Sequence, residues 1–182
     1  MPMTPEEKKG AKILIVDDEP VARRLISSVL ALHGFMTFED ADTGESALLQ
    51  LKTAQYDLVL LDKNMPGVDG IEVLRQGKII QPFCQFIIIT AYGSEDTVAE
   101  AIELGAHSYL TKPLVNVEEI AQRVEAALEE GKRHTGKTGS KQPDPGSLED
   151  VNLAEVTERI TDSTSKLQEL ADRLKEMKRK KD

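Results

Sequence analysis

Runs of consecutive apolar residues recur along the first two thirds of the chain, each bounded by charged or turn-forming positions. The clearest are residues 13–16 (ILIV), 58–61 (LVLL) and 86–89 (FIII). Continuous rather than alternating apolar character predicts strands buried on both faces, as in a parallel sheet. Two weaker segments, 36–41 (MTFEDA) and 108–111 (SYLT), complete a set of five. Between the runs the apolar residues shift to helical spacing. Pro20 suits the first turn of a helix that would point Val21, Leu25 and Val29 inward and stop at Gly34. A second helix follows the Thr43-Gly44 turn and carries Ala47, Leu48 and Leu51; a third fits 69–76 and is broken by Gly77. Ser94 would cap a fourth, with Val98, Ala101 and Ile102 inward and Gly105 as its stop. Asn116, with Glu119 three residues on, opens a fifth whose inward face is Ile120, Val124, Ala127 and Leu128. Strand and helix in regular alternation predict an open, doubly wound α/β domain with a parallel sheet.

In such a sheet, function collects beyond the carboxyl ends of the strands. The first strand ends in Asp17-Asp18, the third in Asp62, the fourth in Thr90 and the fifth in Lys112. One acidic residue at a strand end is ordinarily a cap or a turn starter. Five polar residues delivered to the same edge are a different signal. If the first and third strands are neighbours, three carboxylates converge, and they cannot all stay ionised unaided. A hard divalent cation with oxygen ligands resolves that conflict. Mg²⁺ suits it, because it takes one or two carboxylates and leaves room for phosphate oxygens. Lys112 and the Thr90 hydroxyl could then hold the remaining oxygens of a phosphoryl group. Asp62, alone on a central strand, is the candidate nucleophile for phosphoryl transfer.

Composition narrows the setting. The chain has 182 residues, 40% hydrophobic and 30% charged, so it can build a packed core. A formal net charge of -9 argues against a broad electrostatic grip on nucleic acid or anionic lipid. The single cysteine, Cys84, excludes an internal disulfide framework, and with three histidines a transition-metal site is poorly supplied. The opening MPMTPEEKKGAK lacks the apolar core of a signal peptide, and no apolar run approaches the ~20 residues a membrane helix needs. A cytoplasmic protein with no membrane partner is expected.

The charge is unevenly placed. Residues 1–130 hold 11 basic and 22 acidic side chains, whereas residues 131–182 hold 12 basic and 10 acidic. Composition changes at the same point. Residues 131–147 (GKRHTGKTGSKQPDPGS) carry four glycines, two prolines and no Ile, Leu, Val, Met or Phe, which predicts a flexible linker. Three parts are therefore expected: a globular domain over 1–130, a linker over 131–147 and a helix over 148–182.

The globular part resembles the receiver domain of the two-component response regulator family. The resemblance covers nearly all of residues 1–130 and rests on KILIVDDEP, LVLLDKNMPGVDG, IIITAYGS and GAHSYLTKPL, in that order. It implies a flavodoxin-like five-stranded parallel sheet of order 2-1-3-4-5. It implies that a partner histidine kinase phosphorylates Asp62, that Asp18 binds Mg²⁺ directly and that Asp17 binds it through water. The backbone carbonyl of Asn64 would complete the protein's ligands. Lys112 would pair with the phosphoryl group, Thr90 would swing to hydrogen-bond it, and Tyr109 matches the aromatic residue that moves on activation. The same resemblance implies a cis bond before Pro113. Gly67 and Gly70 suit the tight loop after Asp62. Three features are less usual for the family: Lys63 directly after Asp62, Tyr92 two residues after Thr90, and the stretch QGKIIQPFCQF. None removes a required residue.

The segment after the linker holds no catalytic cluster and is too short for a helix-turn-helix domain with its own core. It does hold a heptad. Leu153, Ile160, Leu167 and Leu174 recur every seven residues, followed at three by Val156, Ser163, Leu170 and Met177. That spacing predicts a coiled coil and a homodimer, with docking on the receiver or on another protein as the competing role. The basic end KEMKRKK invites a DNA-associated reading, but in a basic leucine zipper the basic region precedes the heptads. An aspartate-nucleophile phosphatase of the haloacid dehalogenase type is a further alternative; it needs an Asp two residues after the nucleophile, where this chain has Asn64. The expected function is a phosphorelay switch that changes contacts with a downstream protein target, with no effector domain and no enzymatic activity beyond turnover of its own phosphoryl group.

Overall fold

Five central strands form where the apolar runs predict them. A computed structural model describes residues 3–91 and 95–137. In chain order the elements are α1 (Pro5–Gly10), β1 (Lys12–Val16), α2 (Pro20–Leu32), β2 (Thr37–Ala41), α3 (Gly44–Thr53), β3 (Leu58–Asp62), α4 (Gly70–Ile80), β4 (Gln85–Thr90), α5 (Glu95–Glu103), β5 (Ser108–Thr111) and α6 (Val117–Lys137). The strands make one parallel sheet in the order β2-β1-β3-β4-β5. The chain order therefore reverses between β1 and β3, which places a crevice beyond their carboxyl ends. The expected Ser94 cap, Tyr92 and the whole of 148–182 lie outside the described residues.

Alternation along the strands divides the core in two. Leu14, Val16, Val59, Leu61, Phe86 and Ile88 face α3, α4 and the end of α5, packing on Leu51, Leu74 and Ala101. Ile13, Ile15, Leu58, Leu60, Ile87, Ile89 and Leu110 face α2 and α6, packing on Ile26, Leu30, Ile120 and Val124. Burying a side chain of this size is worth roughly 1.5–3 kcal/mol, so the three central strands, all but fully buried, carry the fold.

The helix starts follow local chemistry. Thr43, Asp69 and Asn116 each accept a backbone N–H from three residues on, at 3.2, 2.9 and 3.2 Å. Several expectations need correction. The inward face of α2 is Ile26, Val29 and Leu30, whereas Val21 is 75% exposed and Leu25 is 40% exposed. The periodicity of α2 allows two apolar stripes, and packing against the sheet selects one. Ile102 is likewise 46% exposed, while Ala101 is buried. Gly77 does not break α4, which runs to Ile80; a Cβ there would stand 2.6 Å from the Phe86 ring, so this glycine marks a close helix–sheet contact. Helix α1 has no counterpart in the sequence reading. Thr4 and Glu7 cap it reciprocally, and Lys8 and Glu7 pair with Glu125 and Lys132 of α6. Helix α6 itself runs on to Lys137, seven residues into the segment expected to be a linker. Gly131 sits against Gln85 and Lys132 pairs with Glu7, so tertiary contacts hold this glycine-containing turn helical.

Candidate functional site

The register carries the polar strand ends to one edge. Val16 pairs with Leu61 and Asp62 with Ile89, so Asp17 and Asp62 emerge side by side, with Thr90 one residue beyond Ile89. Thr111 lies opposite Thr90, which brings Lys112 to the same edge, and its N–H donates to the Thr90 carbonyl at 2.9 Å. The Lys112-Pro113 bond is cis.

Asp17, Asp18 and Asp62 each present a carboxylate oxygen, and these oxygens lie within 4.8 Å of one another. Asp17 and Asp62 are buried, whereas Asp18 is exposed. Asp17 Oδ1 accepts the Glu19 N–H at 2.8 Å. Asp17 Oδ2 is buried without an aligned hydrogen bond, although Lys112 Nζ stands 2.9 Å away as an ion pair. Lys112 Nζ also donates to Asp62 Oδ2 at 3.2 Å, and Glu19 Oε1 lies 3.7 Å from the same ammonium. Asp62 Oδ1 accepts the N–H of Asn64 at 3.3 Å, which ties the nucleophile candidate to its own loop.

These neighbours set the charges. Burial, and then the Asp17 carboxylate, push the Asp62 carboxyl above the ordinary aspartate value; Lys112 only partly opposes them. Burial alone would lower Lys112, but the Asp17 and Asp62 carboxylates outweigh it and hold the ammonium above the usual lysine value. The site thus has an excess of negative charge around Lys112, with the buried Asp17 Oδ2 held by that ammonium as an ion pair.

Two glycines shape the loop between β3 and α4. Gly67 takes φ +79, the left-handed region that favours glycine, and Gly70 packs directly on the Asp62 carbonyl. Tyr109 is half-buried on the α3/α4/α5 side of the sheet. Its ring packs against that core and carries the Arg123 guanidinium 5.6 Å from its centroid. Ile88, the register partner of Tyr109, shares a face with Thr90 by strand alternation. Cys84 is buried, which pushes its thiol up and leaves it inert.

The sequence reading missed Glu19 and Arg23. Arg23 lies in the first turns of α2, where a cation opposes the helix dipole. That misplaced charge was the available signal that it has a dedicated partner.

Comparison with known proteins agrees with this geometry. A family model described as the response regulator receiver domain matches residues 13–125. Sporulation initiation phosphotransferase F of Bacillus subtilis is 43% identical over 117 residues, covering 64% of this chain and 93% of that protein. The transcriptional regulatory protein ResD of the same organism is 37% identical over 123 residues, but the match covers 50% of its length and 68% of this chain. Among solved structures, a CheY-like receiver domain protein from Methanospirillum hungatei superposes with a TM-score of 0.64 at 27% identity, covering 68% of this chain and 98% of that one. A CheX-CheY-BeF3-Mg²⁺ complex from Borrelia burgdorferi matches at 0.61 and 30% identity, over 64% of this chain and 87% of that one. The 2-1-3-4-5 sheet, the acidic edge and these matches agree: the chain belongs to the response regulator receiver family, whose general role is to accept a phosphoryl group from a histidine kinase.

Proposed function

We propose that this chain is a Mg²⁺-dependent phosphorylation switch with Asp62 as the acceptor. The observation that carries the reading is the convergence of Asp17, Asp18 and Asp62 within 4.8 Å around a single lysine. The donor set fits Mg²⁺: hard oxygens, an excess of negative charge and one buried oxygen without a hydrogen bond. Asp18 would hold the ion directly, Asp17 through water, with Asp62 and the Asn64 carbonyl completing the protein's share. When bound, Mg²⁺ supplies charge neutralisation at the phosphoryl oxygens. Asp62 attacks phosphorus, a P–O bond forms and the P–N bond to the donor imidazole breaks, and the imidazole nitrogen takes up a proton. Lys112 then exchanges one carboxylate partner for a phosphoryl oxygen.

The remaining residues link this event to the surface. The Thr90 hydroxyl would turn to the phosphoryl group, and Tyr109, on the same face of the sheet, would follow into the space released. Helix α2, which starts beside the site, leaves Val21, Leu25 and Leu32 exposed and offers them to a kinase helix. Phosphoryl transfer from a phosphohistidine kinase domain tests the reading directly. One phosphoryl group per chain is expected with Mg²⁺ and none with EDTA; incorporation that ignores chelation would overturn it.

Residues 148–182 are proposed to form a helix that pairs two copies in parallel, so that the switch acts on a downstream protein target from a homodimer. Seven apolar heptad positions support this, and Ser163 interrupts them. Leu167→Asp combined with Leu170→Asp should convert a dimer to a monomer by light scattering while phosphorylation persists. A parent protein already monomeric at tens of micromolar would remove the dimer from the proposal.

A further inference from the structure

The Arg23 side chain holds the backbone of the acidic edge where β1 ends. Its Nη1 donates to the Asp17 carbonyl at 2.7 Å, and its Nε donates to Asp40 Oδ2 on β2 at 2.9 Å. Only 17% of the side chain is exposed. The guanidinium therefore bridges two neighbouring strands just where β1 ends. The carbonyl it holds belongs to the Asp17–Asp18 peptide, and a peptide is planar. Holding that plane restrains ψ of Asp17 and φ of Asp18 together, and so the directions in which both side chains leave the backbone. The Asp17 N–H donates to the Ala41 carbonyl on β2 at 3.2 Å, so with Arg23 both sides of this residue are tied to the edge strand.

The geometry points to Arg23 as a positioning residue for the cation site: it holds the Asp17–Asp18 turn in the conformation that lets both carboxylates reach one ion. The inference rests on the metal-site reading above. Its force lies in the sign of the expected effect. Arg23 is a positive charge close to an acidic cluster, and by Coulomb's law alone its removal would tighten cation binding. If it positions the ligands, its removal weakens binding instead. Lysine keeps the charge but lacks the planar fork that reaches two acceptors in different directions.

The test is a Mg²⁺ titration of the full chain followed by backbone amide shifts, with thermal unfolding recorded alongside. Arg23→Met is expected to raise the Mg²⁺ Kd about five- to tenfold and Arg23→Lys about threefold, with the bound-state spectrum recovered at saturation. Asp18→Ala serves as the reference for the site. If Asp18→Ala weakens binding but both Arg23 variants bind as tightly as the parent or more so, the positioning role is wrong. If Asp18→Ala leaves binding unchanged, the metal-site reading falls and this inference falls with it. Should Arg23→Met fail to fold, Arg23→Lys alone decides, because loss of charge cannot then account for its weaker binding.

Discussion

Asp62→Asn is expected to abolish phosphoryl incorporation, to the detection limit of intact mass spectrometry, and at the same time to make the protein more stable. The first effect follows from removal of the Asp62 carboxylate, which ends the central strand β3 and accepts from Lys112. An amide of the same shape cannot attack phosphorus, so equal incorporation in the variant would place the acceptor elsewhere. The second effect follows from the raised Asp62 pKa, whose largest cause is burial, followed by the Asp17 charge. A carboxyl whose folded pKa lies above its unfolded value costs stability when ionised. That cost is full above the folded pKa and vanishes below the unfolded one. In Mg²⁺-free buffer at neutral pH, Asp62→Asn should therefore unfold at a higher Tm than the parent. The difference should shrink as the pH falls through the folded pKa of Asp62 towards the ordinary aspartate value. Adding Mg²⁺ should stabilise the parent more than the variant. A variant less stable than the parent at pH 7 without Mg²⁺ would contradict the charge balance described for the site.

Gly70→Ala is expected to damage both fold and site. A Cβ at this position would stand 2.3 Å from the Asp62 carbonyl oxygen and 2.8 Å from the Lys63 Cα. Both are backbone atoms, so no flexible side chain can give way. Either α4 moves off the sheet or the end of β3 shifts, and the second displaces Asp62. Overpacking of this kind costs about 1–3 kcal/mol, which lowers the Tm by roughly 3–9 °C at this chain length. Phosphorylation under saturating Mg²⁺ should slow as well, because the loop that bonds Asp62 Oδ1 through the Asn64 N–H is anchored here. Gly10→Ala is the control: nothing lies within 4 Å of a Cβ there, so no loss of stability is expected. Equal behaviour of the two variants would mean that the contact at Gly70 is not a tight one.

Much of the site is legible in the sequence alone. The end residue of a parallel strand is placed by the strand itself, so Asp17, Asp62, Thr90 and Lys112 could be assigned to one edge from the apolar runs that precede them. Their meeting depended on strand order, which came from the resemblance and which the sheet bears out in β2-β1-β3-β4-β5. Arg23 was not legible in this way. Its partners are a carbonyl six residues back and a carboxylate on another strand; a cation in the first turns of α2 signals that a partner exists, but no local pattern says which.

The amino-acid sequence by itself determined the types and chain order of the elements from β1 to α6, though not α1, and the chemical inventory of the edge. Those are local properties, written in runs of apolar residues, the Thr43-Gly44 turn, the cap at Asn116, and the residue that follows each strand. Only the tertiary structure decided which side of α2 packs inward, because the helix carries two apolar stripes and the sheet has room for one. It also decided that Gly77 sits inside α4 rather than ending it, since the Phe86 ring requires the absence of a Cβ. It alone kept α6 helical past Gly131, where contacts with Gln85 and α1 outweigh the weak helix propensity of glycine. In each case the local pattern allowed more than one solution, and long-range packing made the choice.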